Sequence, residues 1–62
     1  MTVWVLVSAD EWTVMSVAET ADAAKVVAER DAEEALAWRL DRKGKYVSGK
    51  WAYEIRPFEV IA

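Results

Sequence analysis

Near the start of this chain five apolar residues follow one another without a polar break: Val3-Trp4-Val5-Leu6-Val7. Their β-branched and aromatic make-up predicts a strand. The missing alternation predicts cover on both faces, as for a central strand. Ser8-Ala9-Asp10-Glu11 is polar and has the length of a hairpin connection. Trp12 to Val17 then alternates loosely, with Trp12, Val14 and Ser16 on one face and Thr13, Met15 and Val17 on the other. Thr20 precedes Ala21-Asp22-Ala23-Ala24. Its hydroxyl can cap a helix, and Asp22 lies where the helix dipole favours an acid.

Helix-forming residues continue to about residue 42, and Gly44 stands just beyond as a stop signal. The apolar face changes direction on the way. Ala23, Val26 and Val27 centre on one side, Ala32, Ala35 and Leu36 nearly opposite, and Asp31 interrupts the stripe. A break near Arg30-Asp31 is one outcome of that pattern. With no Gly or Pro there, the expectation is one continuous helix of about 22 residues, roughly 33 Å long. Its far end, carrying Trp38 and Leu40, would overhang the sheet. A short strand at Tyr46-Val47 is a minor alternative to loop. Trp51, Tyr53 and Ile55 then alternate with Ala52, Glu54 and Arg56, a half-buried strand. Pro57 and the parity shift to Phe58 and Val60 predict an edge position or a bulge.

The expected architecture is α+β: one domain, residues 1–62, with strands at about 2–8, 12–18 and 51–60 and a helix at about 21–42. The order ββαβ and right-handed connection give a three-stranded antiparallel sheet of order 2-1-3. One helix covers one face of such a sheet. The other face, with its valines and aromatic rings, would need a second surface, and a twofold dimer is the commonest solution.

Composition sharpens this. The chain has 62 residues, four tryptophans, no cysteine and no histidine. A domain this small has a thin stability margin and often needs a staple. Disulfides are excluded and a zinc site is disfavoured, which leaves self-association. No stretch has the makeup of a secretory signal or a membrane span, so the expected location is the cytoplasm, away from membranes.

Net charge is −3 and segregated. From Asp10 to Glu34 eight acids face Lys25 and Arg30, giving −6. From Ala35 to Arg56 six cations face Asp41 and Glu54, giving +4, and Glu59 completes the sum. Such opposite patches suit head-to-tail docking or an anionic partner.

Val3-Trp4-Val5-Leu6-Val7, the helix start at Thr20-Ala21-Asp22-Ala23-Ala24, and the closing Tyr53, Ile55, Phe58 and Val60 resemble a set of small uncharacterised ββαβ proteins from actinobacteria and their phages. The resemblance covers most of the chain outside residues 30–49. It implies the fold and a phage-like origin, the host cytoplasm as location and a host or virion protein as target. It implies no activity and no site residues.

Enzymatic chemistry is not expected. Without His or Cys the commonest general base and the best nucleophile are missing. Glu29, Glu33 and Glu34 lie among other charges on a solvated helix face, not in an apolar pocket. No phosphate-binding loop or EF-hand pattern is present. No catalytic residue, metal ligand or cofactor is therefore assigned. The expected function is a non-enzymatic protein-interaction module that associates with itself and with another protein. Trp12, Trp38, Leu40 and Trp51 are the candidate interface anchors, tryptophan being enriched at hot spots. The alternative is nucleic-acid binding by the basic and aromatic segment 43–56 through Lys43, Lys45, Lys50 and Arg56, disfavoured by the net negative charge. An acidic mimic of DNA is a further alternative.

Overall fold

The computed structural model describes residues 1–8, 10–49 and 53–61. The elements are β1 (Thr2–Ser8), β2 (Thr13–Ala18), α1 (Ala21–Ala32), β3 (Trp38–Leu40), β4 (Tyr46–Ser48) and β5 (Tyr53–Glu59). They form a five-stranded antiparallel sheet of order β2-β1-β5-β4-β3 with one helix across it. The fold is α+β. The expected three-stranded sheet and the helix to residue 42 are both overturned, because segment 33–48 leaves the helix and adds a hairpin to the sheet.

The helix ends at Ala32 without a glycine. Glu33 takes up the left-handed conformation at φ 59°. Its N–H donates to the Arg30 carbonyl at 3.3 Å, and the Glu34 N–H to the Glu29 carbonyl at 3.2 Å. This is a Schellman closure with glutamate where glycine is usual. The Glu29 carboxylate then accepts from the Leu36 N–H at 2.9 Å and fixes the exit. At the other end Thr20 caps as expected, its hydroxyl oxygen accepting from the Ala23 N–H at 3.1 Å.

Gly44 is not a helix stop. It sits at φ 84° in the turn joining β3 to β4, a conformation glycine adopts without strain. Asp41 organises that turn. Its carboxylate accepts from the N–H groups of Lys43 (2.8 Å) and Lys45 (3.1 Å). Burial opposes the charged form of Asp41, but these two backbone bonds and the neighbouring lysines hold its carboxyl below the usual range.

The register assigns the faces. On the helix side, Leu6 lies between Ser16 and Ile55, Ile55 is opposite Tyr46, and Trp38 is opposite Ser48. Leu6, Ile55, Tyr53, Ala24 and Ala28 form the buried core, and Trp4, Met15, Val27, Leu36, Trp38 and Tyr46 pack around it. Alanines at the helix contact allow close approach to the sheet. Lys25 lies over the Tyr46 ring with its ammonium 3.9 Å from the centroid. That contact turns one flank of α1 toward β4.

The bulge expected at Pro57 is absent, and an unexpected one lies in β2. The β1–β5 ladder runs without a shift from Thr2–Glu59 to Ser8–Tyr53, so Pro57 makes no bulge. Beyond the Tyr46–Ile55 pair β4 has no further partner on β5, and Pro57 lies on that bare stretch, where it has no N–H to continue a ladder. The bulge is in β2. Between the Leu6–Ser16 and Val7–Val14 pairs, Met15 is extra. Parity therefore shifts, so that Met15 joins Ser16 on the helix face while Val14 and Val17 share the opposite one. The sequence alternation had separated them.

Candidate functional site

Opposite the helix the sheet is open. Its residues fall in rows set by the register: Val14–Val7–Glu54–Val47–Arg39, then Val17–Val5–Arg56 with Lys45 beside it, then Val3–Phe58. The β2–β1 half is valine. Val14 and Val17 are 59% and 60% exposed, and Phe58 on β5 is 50% exposed. Val3 and Val5 are half-buried. Only Val7 is buried, although no helix lies above it.

Trp12 belongs to this face. It leaves the β1–β2 connection with φ 56° and stays 67% exposed. The Arg56 guanidinium stacks over its ring at 5.5 Å, a favourable cation–π arrangement. Arg56 is held from the other side by Glu54, which accepts from Nε at 2.9 Å and from Nη2 at 2.5 Å. Glu54 also accepts from Lys45 Nζ at 3.3 Å. Burial pushes the Glu54 carboxyl up, but its bonds to Arg56 and Lys45 outweigh that and leave it below the usual range.

The β5–β4–β3 half is basic. Arg39, Lys43, Lys45 and Arg56 outnumber Glu54 and Asp41 there, in a chain of net charge −3. Lys43, Lys45, Arg56, Pro57 and Phe58 line a shallow cleft of about 270 Å³ beside the bare stretch of β5. A second hollow, about 360 Å³, opens at the hairpin end of the helix side between Asp10, Glu11, Asp31 and Tyr53. There the Tyr53 hydroxyl donates to Asp31 at 2.5 Å. That bond, burial and the carboxylate charge push the phenol up to about 12. Among the described residues no group of three acidic side chains is placed to hold a metal ion.

The structure separates the predicted anchors. Trp12 is on the open face. Trp38 and Leu40 lie in β3, not on a helix overhang, because the helix has ended six residues earlier. Trp38 packs against the core with its indole N–H buried and, among the described residues, without a hydrogen-bond partner. Leu40 stays 58% exposed at the sheet margin. Of the basic set, Lys43, Lys45 and Arg56 come together at the cleft. Trp51 and Lys50 lie outside the described residues. The sequence reading missed Phe58, Val14, Val17 and Arg39 as members of one surface. The first and last need the register, and the two valines need the bulge. No helix among the described residues is long and apolar enough to cross a membrane. Comparison with protein families, curated proteins and solved structures finds no match in any of the three.

Proposed function

We propose that this protein is a small non-enzymatic interaction module that associates with itself and presents the open face of its sheet to a larger protein partner. The observation behind this is the contiguous exposure of Trp12, Val14, Val17 and Phe58, each at least half exposed, on the face opposite the helix. An apolar patch rimmed by charge is unusual on a soluble monomer and typical of an interaction surface. Trp12 and Arg56, stacked and pinned by Glu54, are residue types enriched at binding hot spots. Action on a host or virion protein, and a phage origin, rest on the sequence resemblance alone.

Light scattering across a hundredfold concentration range tests self-association, and affinity capture with wild type and Val5→Lys in parallel tests the open face. The expected result is concentration-dependent mass and a partner retained by wild type and lost with Val5→Lys. A constant monomer mass, with the same proteins retained by both baits, would discard the proposal.

The cleft favours a second reading, in which Lys43, Lys45 and Arg56 meet phosphates while Phe58 stacks on a base. Glu54 already occupies two of these cations. Titration with single-stranded oligothymidylate, followed by tryptophan fluorescence at two salt concentrations, decides it. Salt-sensitive saturation supports the second reading and a flat response removes it.

A further inference from the structure

The sheet has two outer edges, and they differ. β3 is three residues long and carries Arg39. β2 is six residues long, Thr13-Val14-Met15-Ser16-Val17-Ala18, with no charge and no proline. Natural edges are blunted by shortness, charge, proline or a bulge. β3 uses the first two, and β2 has only its Met15 bulge.

The ladder identifies which backbone groups of β2 point outward. The Val60 N–H donates to the Met1 carbonyl at 2.7 Å, so alternation pairs Val3, Val5 and Val7 with β5 and turns Trp4, Leu6 and Ser8 toward β2. Ala18, Ser16 and Thr13 receive them. Val17 and Val14 are therefore the residues whose N–H and C=O face away from the sheet. The Met15 bulge sets them three apart instead of two. A regular strand does not match that spacing. A second β2 running antiparallel does, because its own Val17 and Val14 meet Val14 and Val17 at the same separation.

The helix adds an apolar flank on the same side. At 100° per residue, Val27 lies about 200° from Lys25, which points to Tyr46 on β4. Ala23 and Val27 thus lie on the β2 side of the helix, while the half-exposed Val26 faces away from the sheet. A twofold axis through β2 sets this flank against its copy. It also brings Arg30, at one end of the helix, toward the partner's Glu19 at the other.

We infer that the self-association proposed above, on which this inference rests, runs edge to edge through β2, with Val14 and Val17 exchanging backbone hydrogen bonds with the partner's Val17 and Val14 and the Ala23–Val27 flanks of the two helices in contact. The result is a ten-stranded sheet whose valine halves join into one surface, left open for the larger partner. A strand edge about 20 Å long with a helix stacked about 10 Å above it is a small contact, well under the roughly 800 Å² per partner of a standard stable interface, so the pairing is weak and exchanging.

The experiment is sedimentation or light scattering of wild type, Val17→Pro, Ala23→Glu and Phe58→Glu, with amide exchange of Val14 and Val17 read at low and high concentration. Proline removes the outward N–H, although it also fixes φ at position 17 and restricts Ser16. Ala23→Glu changes an exposed helix position and keeps the test intact if the proline variant does not fold. The expected result is at least tenfold weaker dimerisation for Val17→Pro and Ala23→Glu with unchanged circular dichroism, no change for Phe58→Glu, and slower exchange of both amides as concentration rises. Dimerisation lost in Phe58→Glu but kept in Ala23→Glu overturns the edge assignment while self-association stands. A wild type that stays monomeric overturns both.

Discussion

At the scale of single residues, two titrating groups tie the sheet to its surroundings with opposite signs. Tyr53 keeps its proton up to about pH 12 because its hydroxyl is bonded to Asp31. An unfolded phenol titrates near 10, so the folded state binds more protons between those values. This contribution to stability is complete below about pH 10 and is lost as pH rises toward 12. Tyr53→Phe should lower stability by about 1 kcal/mol at neutral pH, and melting curves should show a shallower decline through the alkaline window. Glu54 has the reverse sign. Its carboxyl is held low despite burial, by Arg56 and Lys45. Its contribution is present above the ordinary glutamate value and is lost as pH falls through the lowered one. Glu54→Gln should flatten the acid limb of the same melting series, and an unchanged acid limb would mean the ion pairs add nothing.

Among the elements, the helix shows where local sequence rules succeed and fail. Thr20 was legible as a cap because its chemistry is local, and Thr20→Ala should cost about 1 kcal/mol. The other end was not legible. Glu33 offers no stop signal, and Leu36, Ala37, Trp38, Arg39 and Leu40 tolerate a helix as well as a strand. What ends the helix is tertiary: its two buried alanines seat on the sheet, and Trp38 gains more against Ser48 and the core than it would on a helix beyond the sheet. The change of apolar face after Val27 was the visible trace of that competition. Because Glu33 bears the left-handed conformation that glycine accepts freely, Glu33→Gly should stabilise the protein by about 1 kcal/mol. For a domain of this size that is a rise of about 4–8 °C in Tm. In the same way the strand pattern of β1 and β5 could be read from residue types. The bulge in β2 could not, since only pairing reveals which residue is extra.

For the molecule as a whole, the core is small enough that single side chains matter. Leu6 and Ile55 are the large apolar residues with no exposure among the described residues. Stability of about 3–9 kcal/mol is ordinary for this length, and Leu6→Ala should remove about 2–5 kcal/mol of it. Chemical denaturation should therefore find a midpoint lowered by about half. A midpoint close to wild type would show that the sheet is held from elsewhere.

The inequality of the sheet's two margins also governs how far any assembly can grow. Joining through one margin only consumes the available sites in a single event. The short, cationic far margin and the proline on the bare part of β5 give a third chain no template. If chains pair through β2, growth would end with that pairing, and a concentrated sample should accumulate pairs, never ladders.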